Sequence, residues 1–159
     1  MTSITGSTRR ALLGTLATLP VGVTASSLAP RKALEGSAAK VLVAYFSRTG
    51  NTRVIAGLIQ RSLKAPLFEI QPATPYPEDY LETVEQARLE RDSGRERPLA
   101  NGINLHDFKT VFLGFPIWGE TVPPIVCTFL ASQNWEGKSL IPFQTHGGYG
   151  LGNSKAVLG

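Results

Sequence analysis

The sequence contains very little cysteine and histidine: one cysteine, Cys127, and two histidines among 159 residues. A single cysteine excludes a disulfide within the chain, and it excludes a zinc or iron–sulfur site ligated by cysteines of one chain. No Ser-His-Asp arrangement or metal-ligand spacing is present, so the sequence does not support hydrolysis or metal catalysis. Cys127 lies in the apolar segment 125–130, which favours a small core residue over a nucleophile.

Acidic residues are absent from the first 32 positions, which carry Arg9, Arg10, Arg31 and Lys32. The remaining positions hold twelve basic and twelve acidic residues, so the net charge of +4 belongs to the N-terminal segment. We therefore expect no nucleic-acid partner. A content of 42% hydrophobic and 18% charged residues is typical of one soluble globular domain.

Long apolar runs are also absent. The run that ends near Val23 is too short, and too rich in threonine and glycine, for a stable membrane span. With Arg9 and Arg10 before it and small residues after it, this run predicts an export signal over residues 1–29. The segment resembles a twin-arginine (Tat) signal, with Ala11 where phenylalanine is common, and a surface amphipathic helix is the alternative. Residues 30–39 then predict a linker, and the domain 40–159 is expected to be periplasmic or extracellular.

Strand-like segments recur through that domain. The continuous apolar runs 41–46 and 110–115 predict two central strands buried on both faces. Segment 65–71 alternates apolar and polar residues and predicts a strand nearer the sheet edge. A fourth strand is predicted over 139–143, where Pro142 removes one ladder donor and requires an edge or an irregular point.

Three helices are predicted between these strands. The first follows residues 47–52, the second opens at Pro77-Glu78-Asp79, and the third runs from Pro123 to about Ser132. Their predicted buried stripes are Ile55, Leu58, Ile59 and Leu63 in the first helix, and Tyr80, Val84 and Ala87, with Leu81 beside them, in the second. The charge-dense segment 88–97 predicts a solvated helix end and loop. The alternation favours an α/β fold, an open parallel sheet with helices on both faces.

Three loops of unusual composition follow strands: residues 47–52, 116–119 and 145–152. Ligands of such sheets bind outside the carboxyl ends of the strands, so we expect these loops to meet. The first gathers hydroxyls and backbone N–H groups where a helix begins, which suits a phosphate. The second presents Trp118 to a planar ring, and the glycines of the third allow close approach of backbone amides. Together they indicate a phosphate-bearing planar cofactor. The alternatives are an ordinary capped turn for the first loop and a core or lid aromatic for Trp118.

The segments YFSRTGNT, FEIQPATPYP, GFPIWG and THGGYG, in this order and spacing, resemble the short bacterial flavodoxin-type branch of the flavodoxin-like family. The resemblance implies FMN as the cofactor and no catalytic residue, because the flavin carries the redox chemistry. The implied FMN-binding residues are Ser47, Thr49, Gly50, Asn51 and Thr52 at the phosphate, Pro116, Ile117, Trp118 and Gly119 on one side of the isoalloxazine, and Thr145, His146, Gly147 and Gly148 at its other edge. Arg48 is expected to point outward. His146 is expected to be a hydrogen-bonded loop residue rather than a proton donor, and His106 with Asp107 is expected to cap a turn at the opposite sheet edge.

Flavodoxin-like domains usually have five strands in the order 2-1-3-4-5, whereas this sequence ends soon after the fourth. We therefore expect a C-terminally truncated domain with strand order 2-1-3-4 and the fourth strand as an exposed apolar edge.

Three functions are consistent with these residues. The first is FMN-dependent electron transfer to or from a redox partner protein or a small-molecule acceptor. The second is an FMN-dependent NAD(P)H:quinone-type oxidoreductase, although no nicotinamide-binding motif is evident. The third is a flavin-free domain with a structural or binding role. The sequence favours electron transfer.

Overall fold

The computed structural model describes residues 40–148 and 150–159. The predicted export signal and linker lie outside the described residues. The elements, in chain order, are β1 (Val41–Tyr45), α1 (Asn51–Leu63), β2 (Leu67–Glu69), α2 (Tyr80–Asp92), β3 (Thr110–Pro116), α3 (Pro124–Ala131), β4 (Ser139–Thr145) and α4 (Ser154–Leu158). Strands and helices alternate as the sequence predicts, although β2 is shorter than expected and β4 is longer.

The described strands form one four-stranded parallel sheet in the order β2-β1-β3-β4. This order confirms the predicted topology, with the two most apolar strands at the centre. Pro142 lies in β4, opposite Leu113 of β3. Because β4 is an outer strand of the described sheet, the missing N–H of Pro142 does not interrupt a ladder between two neighbours.

Each central strand sends alternate side chains to opposite faces of the sheet. Leu42, Ala44 and Phe46 join one core cluster with the apolar residues of α3. Val43 and Tyr45 join a second cluster with Ala56 of α1. Helices therefore cover both faces, which is why β1 is apolar throughout and β3 is apolar after Thr110.

The predicted buried stripe of α1 is wrong, because the helix turns a neighbouring face toward the sheet. Leu58 is 50% exposed, and Ile55 and Leu63 are exposed too, whereas Thr52 and Ala56 are buried and Ile59 is partly buried. The buried residues recur at four- and three-residue spacing, so they form a helical stripe beside the predicted one. Small side chains at positions 52 and 56 let the helix lie close to the sheet, and hydrophobicity alone does not reveal that preference.

The second helix also differs from its prediction. Within the predicted stripe, Ala87 is buried and Val84 is partly buried, whereas Tyr80 is 64% exposed and Leu81 is exposed. Thr83 and Glu90, which lie outside the predicted stripe, are also buried. The helix begins after Asp79, whose side chain accepts a hydrogen bond from Glu82 N at 3.0 Å.

The prediction that segment 88–97 is solvated is wrong at two positions. Glu90 is 8% exposed and Arg97 is 5% exposed, and their side chains form an ion pair. Arg97 Nη2 also donates to the carbonyl oxygens of Thr74 and Pro75. Charged side chains are buried when they are paired in this way, and pairing between distant positions is invisible in a charge pattern.

Other features agree with the sequence. Cys127 of α3 packs against the core cluster that contains Leu42, Ala44 and Phe46. Burial raises the pKa of its thiol, which disfavours a reactive thiolate. His106 and Asp107 lie in a turn closed by Phe108 N donating to Leu105 O at 3.0 Å. Their side chains bond each other at 2.9 Å, and the backbone N–H of His106 is capped by Asn104 Oδ1 instead. None of the helices in residues 40–148 and 150–159 is long and apolar enough to cross a membrane.

Replacing Arg97 by methionine is expected to lower the free energy of unfolding by about 3–5 kcal/mol, because Glu90 would be left buried and unpaired. Urea denaturation followed by far-UV circular dichroism measures the change. Arg88→Met is the matched control, since Arg88 pairs with Glu85 and Asp92 on the surface, and its midpoint should hardly move. Equal midpoints for the two variants would contradict the buried ion pair.

Candidate functional site

The three loops lie together at the carboxyl edge of the sheet, where they line a cavity of about 580 Å³. A cavity of this volume is within the range of small-molecule and cofactor sites. All of the predicted site residues line it except Gly50 and Gly148. The lining also includes five residues that the sequence did not single out for the site: Arg48, Tyr80, Thr83, Val84 and Glu120.

The first loop ends in the exposed amide groups of a helix. Gly50 is the N-cap of α1, with φ of 91° and no side-chain cap, and the first turn contains no acid. Ser47 Oγ accepts a hydrogen bond from Gly50 N at 3.1 Å, which closes the loop. The first N–H groups of α1 therefore have no intrahelical acceptor, and the positive end of the helix dipole faces the same space. Such an end binds an anion.

A pair of threonines joins the first loop to the third. Thr52 is buried in α1, and its Oγ1 lies 2.8 Å from Oγ1 of Thr145 at the end of β4. Ile117 N in turn donates to Thr145 O at 2.8 Å. Thr145 thus contacts both other loops, so the three walls of the cavity are mutually fixed.

The second loop is a tight reversal after Trp118. Trp118 N donates to Thr121 O at 3.0 Å, and Thr121 N donates to Trp118 O at 3.2 Å. Gly119 and Glu120 between them have φ of 55° and 64°, as in the primed turns that connect hairpins.

The last residue of the third loop and the residue after it fix this reversal from outside. Asn153 N donates to Glu120 O at 2.9 Å. Gly152 lies so close that a Cβ atom would be 1.9 Å from the same oxygen, so only glycine fits there. The short α4 region therefore supports the loop that carries Trp118.

Trp118 combines the two roles that the sequence left open. Its ring packs edge-to-face against Phe46, with centroids 5.3 Å apart, and against Tyr76, with centroids 4.9 Å apart. The side chain is partly buried against the core and also lines the cavity. It is a core aromatic that contributes a wall to the site.

His146 organises the third loop. Its Nδ1 atom accepts hydrogen bonds from Gly148 N at 3.2 Å and from Gly150 N at 3.3 Å. This arrangement requires a neutral ring with the proton on Nε2. Gly148 lies outside the cavity lining and acts through this contact.

The expectation for Arg48 needs correction, because its side chain lies along the cavity wall. Its Nη1 atom donates to Glu78 O at 2.9 Å and so connects the first loop to the start of α2. Tyr80 and Thr83 line the cavity because α2 follows β2 at the same sheet edge. Applying the carboxyl-edge rule to β2 as well would have found them. No group of three or more His, Cys, Asp or Glu residues suited to a metal occurs in the described part of the chain.

Two solved structures share both fold and sequence with this chain. A protein from Bacteroides uniformis ATCC 8492, provisionally assigned as a flavoprotein, is 35% identical, with a TM-score of 0.69 over 75% of this chain and 80% of that chain. A provisionally assigned flavoprotein from Bacteroides eggerthii DSM 20697 is 33% identical, with a TM-score of 0.69 over 75% of this chain and 78% of that chain.

A third structure shares the fold. It is a flavoprotein from Lactobacillus acidophilus NCFM in complex with FMN, 20% identical, with a TM-score of 0.66 over 76% of this chain and 84% of that chain. No curated protein matches the chain.

The family model described as flavodoxin matches residues 40–158. The match spans all the described elements, from β1 to α4. It agrees with the parallel sheet, the strand order and the loops at the carboxyl edge. The chain therefore belongs to the flavodoxin family.

Proposed function

We propose that the chain binds FMN in this cavity and transfers electrons. The observation that carries the proposal is the union, in one cavity, of an uncapped helix N-terminus and a half-buried tryptophan wall. The family membership supports it, and so does the fold shared with the Lactobacillus acidophilus flavoprotein, which is itself in complex with FMN.

The phosphate end of the cavity matches a dianionic group. Ser47 and Thr49 contribute hydroxyls, and the amides of Asn51 and Thr52 are the first N–H groups of α1. Fixed N–H dipoles stabilise an anion without added cationic side chains.

The ring end of the cavity matches a flat heterocycle. Pro116, Ile117 and Trp118 supply an apolar wall, and Thr145 with Gly147 supplies backbone and hydroxyl groups on the other side. A bound flavin accepts and donates electrons, and the protein orients it and sets its potential. In this chain the apolar wall excludes water from one side of the ring, and the hydrogen bonds through Thr145 hold the two walls at a fixed separation.

The purified protein is expected to bind one equivalent of FMN, measured by quenching of flavin fluorescence. Thr49→Ala should weaken FMN binding roughly tenfold or more, because a hydrogen bond to a charged group contributes about 1.5–3 kcal/mol. It should leave riboflavin binding unchanged, because riboflavin lacks the phosphate.

Trp118→Ala should weaken the binding of both FMN and riboflavin, since it removes the ring wall.

Ser62→Ala, on the exposed far end of α1, is the matched control and should bind both ligands normally. A folded protein that ignores added FMN would overturn the proposal and support the flavin-free alternative. Equal losses of FMN and riboflavin affinity in Thr49→Ala would contradict the assignment of the phosphate end.

Electron transfer and NAD(P)H:quinone reduction differ in a direct assay. An electron carrier should be reduced by dithionite and reoxidised by a small-molecule or protein redox partner. In the presence of a quinone it should oxidise NADPH no faster than free FMN does. Steady-state NADPH oxidation at 340 nm measures this. Rapid turnover that is lost in Trp118→Ala would favour the reductase.

We also propose that residues 1–29 direct export to the periplasm or beyond, on the strength of Arg9 and Arg10 before an apolar run. Expressed in a bacterium with twin-arginine transport, the full chain should yield a processed form outside the cytoplasm. Arg9→Lys with Arg10→Lys should abolish that form, as judged by cell fractionation and intact mass. Arg31→Lys is the control. Unchanged export in the double variant would argue against this route.

A further inference from the structure

A cluster of buried polar side chains lies behind Trp118 and outside the cavity lining. It consists of Tyr76, Glu90 and Arg97, each less than one-tenth exposed. The function proposed above does not use it. The cluster is formed by the β2–α2 loop, α2 and the segment after α2, and each of its members contacts another through a specific polar group or ring.

Glu90 is the centre of the cluster. Its Oε2 atom accepts a hydrogen bond from Tyr76 Oη at 3.1 Å, and its Oε1 atom pairs with Arg97 and accepts from Gln86 Nε2 at 3.2 Å. Burial first, and then the charge of Glu90, raise the pKa of Tyr76 well above its usual value. Since even an ordinary tyrosine is protonated at physiological pH, the phenol of Tyr76 is the donor in this hydrogen bond.

Arg97 holds the ring of Tyr76 as well as its partner carboxylate. The guanidinium carbon lies 3.8 Å from the centroid of the Tyr76 ring, a cation–π contact made away from water. The same guanidinium donates to Thr74 and Pro75, the two residues before Tyr76. Tyr76 is thus held at three places: the carbonyl groups of the two residues before it, one face of its ring, and its hydroxyl.

The Tyr76 ring connects these contacts to the cavity wall, because it packs against Trp118. It meets Trp118 edge-to-face, with an interplanar angle of 88°, and Phe46 meets Trp118 at 82°. Phe46 and Tyr76 also pack on each other, with centroids 6.0 Å apart. Trp118 is therefore contacted by two rings that also contact each other.

From these contacts we infer that the Glu90–Arg97 ion pair, acting through the ring of Tyr76, positions Trp118 against the isoalloxazine of bound FMN. The inference rests on the proposed function. Tyr76, Glu90 and Arg97 are positioning residues, because none of them lines the cavity. A buried ion pair is often replaceable by apolar residues without loss of stability. Stability alone therefore does not explain the Glu90–Arg97 pair, whereas the orientation of Trp118 does.

The test uses the full chain carrying Trp135→Phe. The sequence has two tryptophans, so Trp118 is the single tryptophan of this parent protein. In this parent, Tyr76→Leu should shift the emission maximum of Trp118 and lower its anisotropy before any flavin is added. With FMN it should raise the dissociation constant about tenfold and change both the visible circular dichroism and the reduction potential of the flavin.

Phe68→Leu is the matched control, because Phe68 packs in the same core cluster but stacks on Phe129 rather than on Trp118. It should leave Trp118 emission, FMN affinity and reduction potential unchanged, even where stability falls. If Phe68→Leu reproduces the losses of Tyr76→Leu, the cluster acts only through stability and the inference is overturned.

Tyr76→Phe keeps the packing ring and removes only the hydrogen bond to Glu90, so it remains informative if Tyr76→Leu does not fold. It should lower the Trp118 anisotropy by a smaller amount and weaken FMN binding about threefold. A Tyr76→Phe protein identical to the parent in both readouts would overturn the role of the Tyr76–Glu90 hydrogen bond in positioning Trp118.

The flavin part of the inference and the proposed function fail in different ways. If the parent binds FMN and Tyr76→Leu binds it equally well, the inference is overturned while the proposed function stands. If the parent binds no FMN, both are overturned, even when the emission of Trp118 confirms its packing against Tyr76.

Discussion

Parallel pairing of β1 with β3 is the constraint on which the rest of the structure depends. The pairing places Tyr45 beside Gly114 at the carboxyl ends of both strands, so the loops that follow leave the sheet at the same edge. Burial on two faces requires helices on both sides, and each helix must then begin or end at that edge. The position of the cavity is therefore a consequence of strand direction, decided before any ligand-binding side chain is considered.

Within that frame, a few hydrogen bonds convert three neighbouring loops into one cavity. Thr145 contacts Thr52 through its hydroxyl and Ile117 through its carbonyl, and the C-terminal segment reaches Glu120 through Asn153. Each contact joins residues far apart in the chain. Such contacts order both partners, at an entropic cost that the packed sheet offsets.

Charge and aromatic packing are coupled behind the site. The ion pair between Glu90 and Arg97 is desolvated, and its worth lies in the geometry it imposes on Tyr76 more than in net stability. The edge-to-face contact with Trp118 then carries that geometry to the cavity wall. A segment that reads as solvated charge in fact provides the support for an apolar wall.

The residue patterns of the sequence determined the α/β fold class and the loops that line most of the cavity, because strand burial and turn chemistry are local and periodic properties. The strand order was implied by the resemblance to the flavodoxin-like family, because pairing between strands is not a local property. It did not determine which stripe of α1 is buried, where Tyr80 lies, or that Glu90 and Arg97 are buried. Those outcomes depend on contacts between residues distant in the chain, and local patterns contain no record of them. Only the tertiary structure decided that Leu58 faces outward, that Arg48 lines the cavity and that a buried ion pair stands behind Trp118.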